Sequence, residues 1–313
     1  MPDFLHNFTS NTPAPSDYSY VLLTAAHNEE ANIETTIRSV LAQTQIPIRW
    51  VIVSDGSSDK TDEIVQKYAS DHPFIRFLRI SRKPGRSFGS KVKALHAGYE
   101  LLKDVSYGFI GNLDADVSIG ASYFEQLLGR FHSSPSLGLA GGYVVEESNG
   151  EFRDRPSNRV YSVAHAGQLV RRECYEAIGG YAILEFGGED WHAQICAKMK
   201  GWEAQAFPEL KIFHHRHTGE AENLLRHKFR QGRMDYSFGS DPLFEFLKCA
   251  ERVGEKPILF GSASRFAGFA WSWICRDQKP VSDDFVSFLK NEQRQRVAGL
   301  INPLSSLSGS RKN

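Results

Sequence analysis

From Tyr18 onward, short apolar runs alternate with stretches of helical periodicity: YVLLTA, NIETTIRSVLAQT, RWVIVSD, TDEIVQKYAS, IRFLRIS, KVKALHAGYELLK and YGFIGNLDAD. Continuous apolar runs of this length suit strands buried on both faces. Their alternation with helices predicts an α/β domain with a mostly parallel central sheet covered on both sides. In such a sheet ligands sit beyond the carboxyl ends of the strands. The residues that close each run are therefore the first places to look for chemistry.

The first run closes in His27-Asn28-Glu29-Glu30, the second in Asp55-Gly56-Ser57-Ser58-Asp59, and the fourth in Asp114-Ala115-Asp116. For the second there is a plain structural account, because Asp and Ser satisfy free backbone donors at a helix start and Gly takes unusual dihedrals. That account and a functional one stay open for Ser57, Ser58 and Asp59. It is weaker for Asp114 and Asp116: two carboxylates this close, directly after the buried run FIGNL, repel and lose solvation unless a cation offsets them. A metal or a diphosphate site is the reading that residue pattern favours.

Lys plus Arg number 37 and Asp plus Glu also 37, so net charge gives no argument for a nucleic-acid partner. Any charge effect is local. One such locality is the stretch 81–91, with Arg82, Lys83, Arg86 and Lys91 around two glycines, a basic loop leading into a helix N-terminus and suited to an anion. Neither GxGxxG after the first strand nor GxxxxGK[ST] is present, which lowers dinucleotide dehydrogenases and P-loop enzymes together. The four cysteines are far apart, without metal-site spacing, and fit a reducing compartment. The first 17 residues read as a polar arm lacking the basic start and apolar core of a signal peptide.

Five ordered segments resemble family 2 glycosyltransferases of the GT-A fold: HNEEANIETTIRSVLAQT, VIVSDGSSDKT, SKVKALHAGY, NLDADV with its DXD pattern, and RRECYEAIGGY followed by GGEDWHAQICAKMKGW. The likeness runs over about residues 18–240. It implies a Rossmann-like GT-A catalytic domain over 18–245, a nucleoside-diphosphate-sugar donor, a divalent metal (Mn²⁺ or Mg²⁺), and a hydroxyl acceptor. Residue by residue, it implies that Asp55 contacts the nucleoside, that Asp114 lies by the ribose and diphosphate, that Asp116 binds the metal, and that Asp190 is the catalytic base, with Glu189 the second candidate. Asn28, Glu29 and Lys91 belong to the same donor-binding set. The physical chemistry agrees: Mg²⁺ or Mn²⁺ takes hard oxygen ligands from one or two carboxylates plus substrate phosphates, and an attacking hydroxyl needs a positioned base. A single base with direct displacement implies inversion at the anomeric carbon.

The run Phe213-His214-His215-Arg216-His217 closes another apolar stretch. If it is a strand, His215 and His217 share one face and His214 takes the other. The family's H-x-R-P-x-G pattern aligns best with His214, but His217 stands where Pro is usual, so both histidines remain candidates for metal or diphosphate contact. Beyond them Arg226, Arg230 and Arg233 fall on one side of a helix-compatible stretch, either a solvated face or a phosphate contact of the donor or of a lipid-linked acceptor; Arg230 and Arg233 are the donor candidates. QGRMDY stands where processive relatives carry Q-x-x-R-W, which favours a single transfer over polymerisation.

Residues 246–313 read as a helical extension. Its apolar stretch, KPILFGSASRFAGFAWSWICR, is too short and too interrupted by Arg265 to span a bilayer. Ser262, Arg265, Ser272 and Arg276 fall on one face, broken by Phe269, which fits either packing on the catalytic domain or lying in a membrane interface. The expected protein is thus a cytoplasmic glycosyltransferase, peripheral on the inner membrane face if the acceptor is lipid-linked. Two rivals stay in view: a sugar-phosphate nucleotidyltransferase, whose glycine-rich opening loop is replaced here by TAAHNEE, and a non-catalytic nucleotide-sugar-binding subunit of a polysaccharide assembly complex.

Overall fold

The computed structural model describes residues 18–81, 89–148, 151–216, 224–255 and 257–301. The N-terminal arm, most of the basic stretch 81–91, His217 and the C-terminal tail lie outside the described residues. Strands β1 (Tyr20–Ala26) and β2 (Arg49–Asp55) are apolar and almost wholly buried. Between them α1 (Ile33–Leu41) buries Ile33, Thr36, Ile37 and Val40, the one-face spacing read from the sequence. Next come α2 (Thr61–Asp71), β3 (Ile75–Ile80), α3 (Ser90–Glu100) and β4 (Phe109–Leu113). All three pairings among β1 to β4 are parallel, in the order β3-β2-β1-β4.

The second half is mixed. After β4 come β5 (Val117–Ile119), α4 (Tyr123–Ser133), β6 (Leu137–Ser148), β7 (Glu151–Asp154), β8 (Gly167–Arg171), α5 (Arg172–Ala177), α6 (Glu189–Met199) and β9 (Glu203–His214). Strand β8 joins β4 antiparallel, and the sheet continues β8-β6-β9-β5, with β6 and β9 parallel and β5 antiparallel on β9. The parallel expectation holds for β1 to β4; beyond them the pairing is mixed even where helices intervene, and the short return from β6 to β7 forces antiparallel pairing because a parallel crossover needs a dozen or more residues.

This topology positions the site. The carboxyl ends of β1, β2 and β4 open at one edge, and the three residues between β4 and β5 carry the chain from the middle of the sheet to its far edge. There the register sets Val117 opposite His214, so the end of β9 is brought beside the Asp114–Asp116 turn although a hundred residues separate them in sequence.

Four helices follow: α7 (Leu224–Ser237), α8 (Pro242–Glu251), α9 (Phe260–Cys275) and α10 (Asp283–Ile301). Helices α7 and α9 approach through glycines. A Cβ on Gly232 would strike the carbonyl of Arg265, and one on Gly268 the carbonyl of Phe229. At this crossing Arg265 is buried, its guanidinium 2.5 Å from Asp235 and 3.1 Å from Glu245, and Lys248 bonds both acids at 2.8 and 2.9 Å. Helix α8 runs across residue 245, the expected boundary, and α7 and α9 pack together.

Candidate active site

The loops after β1 and β2 are laced together. Asn28, in the left-handed backbone region at φ +55°, accepts the Ser58 amide on its side chain at 2.8 Å and donates its own amide to Ser57 Oγ at 3.1 Å. The Glu29 amide donates to Thr61 Oγ1 at 2.7 Å and the Glu30 amide to Asp59 Oδ2 at 3.0 Å. Ser57, Ser58 and Asp59 therefore do turn and helix-start work here. Buried Asp55 remains at the strand end, its carbonyl 2.8 Å from His27 Nδ1.

The Asp114–Asp116 turn is held from beneath. Thr36 Oγ1 lies 2.9 Å from the Ala115 carbonyl and 2.7 Å from that of Val117, the Asp114 amide donates to Ala166 at 2.9 Å, and Asn112 Nδ2 donates to the His165 carbonyl at 2.6 Å. The two carboxylates then meet different partners. Burial raises the proton affinity of Asp114, but Lys91, with Nζ 2.6 Å from Oδ1, outweighs it and brings the pKa down to about 2. Asp116 is raised, first by burial and then by the Asp114 charge; its Oδ1 faces His214 Nε2 at 3.5 Å. The cation that the sequence demanded for this pair is, on the Asp114 side, Lys91 itself.

On the opposite wall Gly187 and Gly188, at φ +80° and +90°, turn the chain into α6, conformations that favour glycine. Glu189 Oε1 lies 3.4 Å from His165 Nδ1. Burial raises this carboxyl, and the contact with His165 together with the charge of Lys91 outweighs burial and brings it to about 2. Asp190 accepts the Trp191 amide at 2.7 Å and is raised by burial and by Glu189. Glu189 lines the cleft, and Asp190 follows it in the first turn of α6.

Of the histidine run, His214 is the last residue of β9 and faces Asp116, whereas His215 turns away to Ser118 Oγ at 2.9 Å. Arg216 Nη2 reaches Glu29 Oε2 at 2.8 Å. Burial, and then the Asp116 charge, outweigh that ion pair and lift Glu29 to about 7. The arginine stripe divides. Arg226 is exposed, Arg230 donates to the Phe186 carbonyl at 2.7 Å, and Arg233 bonds Asp277 at 2.8 Å over the Phe186 ring. Arg230 and Arg233 brace the wall before Gly187 and are not among the cleft-lining residues.

The cleft, of about 410 Å³, is lined by Glu29, Asp55, Lys91, Asp114, Asp116, Glu189 and Arg216, with His27, Ser90, Gly187 and small residues between them. Sequence reasoning passed over Arg216, His165 and Thr36. Arg216 stood in the histidine run without a role, and nothing local distinguishes a lone histidine or a helix threonine. Among the described residues no group of three or more His, Cys, Asp or Glu side chains stands ready for a metal. A carboxylate facing an imidazole nevertheless suits a Mn²⁺ or Mg²⁺ site that phosphate oxygens complete. Asn112 Oδ1 and His214 Nδ1, buried atoms without hydrogen-bond partners, belong to residues that contact Asp114 and Asp116.

The family model for glycosyl transferase family 2 matches residues 22–187, more than half of the chain. Poly-beta-1,6-N-acetyl-D-glucosamine synthase of Staphylococcus aureus is 32% identical over 120 residues, 38% of this chain; the match spans about a quarter of that synthase, 27% of its length. Two solved structures share the fold. The mannosyltransferase PcManGT of Pyrobaculum calidifontis, in complex with GDP-Man and Mn²⁺, has a TM-score of 0.51 at 17% identity over 94% of this chain and 85% of that one. S. aureus TarS 1-349 in complex with UDP-GlcNAc has a TM-score of 0.52 at 13% identity over 87% of this chain and 78% of that one. The chain belongs to glycosyl transferase family 2 and has the GT-A fold.

Proposed function

We propose that the cleft binds a nucleoside-diphosphate sugar and that the enzyme transfers one sugar, with inversion, to a hydroxyl of a lipid-linked saccharide or polysaccharide precursor on the cytoplasmic face of a membrane. The observation that carries this reading is the gathering of Asp55, Lys91, Asp114, Asp116, Glu189 and Arg216 on a single cleft. Asp55, with Asn28 and Glu29 beside it, lies where a nucleoside would enter at the ends of β1 and β2. Lys91 and Arg216 are the cations for a diphosphate. Asp114, neutralised by Lys91, is free to accept hydroxyl hydrogen bonds.

Asp116 and His214 would hold the divalent ion, which supplies charge neutralisation for the departing diphosphate. His217 stays a second candidate outside the described residues. Asp190 takes the proton from the acceptor hydroxyl as the new glycosidic bond forms and the bond to the diphosphate breaks. Its raised proton affinity suits a base, whereas Glu189, drawn down by His165 and Lys91, serves to orient the acceptor. Arg230 and Arg233 act by fixing the 185–187 wall, not by touching the donor.

The test is a thermal-shift screen of nucleoside diphosphates and their sugars with and without Mn²⁺, followed by assay of nucleoside-diphosphate release with the stabilising donor. Release of pyrophosphate from a nucleoside triphosphate and a sugar phosphate would favour the nucleotidyltransferase rival. Donor binding without transfer to any acceptor would favour the non-catalytic one.

A further inference from the structure

Helix α9 is inside out. Its buried positions include Ser262, Arg265 and Ser272, while Trp271, Trp273 and Ile274 are 54, 67 and 72% exposed and Phe260 is 67% exposed. From Pro257 to Cys275 Arg265 is the single charged residue, and it is spent inward on Asp235 and Glu245. A helix meant for water carries charge on its outer face; this one presents none.

Helix α8 extends the surface. Leu243 and Phe246 are exposed at 60 and 56%, and the Phe246 ring lies 6.0 Å from that of Phe266 on α9. The geometry points to this α8–α9 face as a docking surface for an anionic lipid bilayer. The occupant follows from chemistry at the rim. Arg276 and Lys279 stand exposed just past the C-terminus of α9, Lys279 over the Tyr236 ring, whereas Asp277 between them is bound by Arg233 and Ser272. Tryptophans beside cations at the edge of an apolar face match the headgroup boundary of an anionic leaflet. Among the described residues no helix is long and apolar enough to cross a membrane, so the contact is interfacial.

Docking also explains how the cleft meets its acceptor, a point that rests on the function proposed above. Helix α7 packs on α9 and, through Arg230, braces Phe186 next to the wall that carries Glu189 and Asp190. The lipid-facing helix is thus one helix removed from the acceptor side.

Co-sedimentation of the full chain with sucrose-loaded vesicles tests this directly. The protein should partition onto phosphatidylcholine vesicles containing phosphatidylglycerol, more weakly onto pure phosphatidylcholine, with a blue shift of tryptophan emission. Trp273→Glu with Ile274→Glu should weaken partition by about tenfold or more, with melting temperature, monomer size and Mn²⁺-dependent nucleoside-diphosphate binding unchanged, since both side chains are exposed. Absence of wild-type partition at low salt overturns the proposal, as does partition of the double variant at the wild-type level. A wild-type dimer that the double variant splits would assign the face to a second copy instead. Partition is read without donor, so its failure is separate from failure of the transferase reading, which would appear as no binding of nucleoside diphosphate with Mn²⁺.

Discussion

His214 Nε2 lies 3.5 Å from Asp116 Oδ1, an approach set by the antiparallel pairing of β5 with β9, in which Val117 faces His214. The two are the metal-site candidates that the sheet register itself brings together. Asp116→Ala is expected to abolish Mn²⁺-dependent binding of nucleoside diphosphate, and His214→Ala to weaken it by roughly tenfold or more. His215→Ala, whose ring points to Ser118, should leave it within about twofold. Isothermal titration with and without Mn²⁺ reads all three; equal effects of His214→Ala and His215→Ala would sink the assignment.

Asp190→Asn should retain donor binding and lower transfer by about 10²- to 10⁴-fold, the range of a lost general base. The pH profile adds a sign. Burial and the Glu189 charge raise Asp190, and a base works only when ionised, so activity falls as pH drops through that raised value. Glu189→Gln removes one of the raising charges. The acid limb of kcat/KM should therefore move to lower pH, and a limb that moves upward or stays fixed would contradict the coupling.

Glu29 titrates near 7 in the fold and near 4.5 when unfolded. Between those values the native state holds more protons than the unfolded chain, so stability of the metal-free enzyme is fullest below about pH 4.5 for this group and declines as pH rises toward about 7. Glu29→Gln should flatten that decline. Melting temperatures from pH 5 to 8 in chelator would show it, and parallel curves for the two proteins would refute it.

Arg265→Leu should cost about 3–5 kcal/mol, because Asp235 and Glu245 would be left buried against a reduced cation. Urea denaturation followed by circular dichroism measures this. A loss below about 1 kcal/mol would mean that Lys248 alone satisfies both acids.

Much of this protein was legible in its sequence, because the signals are local. Apolar runs and helical spacing mark β1 to β4 and their helices, and a run followed at once by two carboxylates marks the Asp114–Asp116 turn, since strand ends and their first loop residues are neighbours along the chain. Tertiary structure alone decided which charges meet. Glu29 and Arg216 pair across 187 positions of sequence, His165 comes to Glu189 only once β8 joins β4, and Arg233, on the same helical stripe as Arg230, is drawn to Asp277. It also decided the orientation of α9. Periodicity shows that a helix has two faces, but which one meets water depends on what the rest of the chain offers, and here buried Asp235 and Glu245 draw Arg265 inward and turn the tryptophans out.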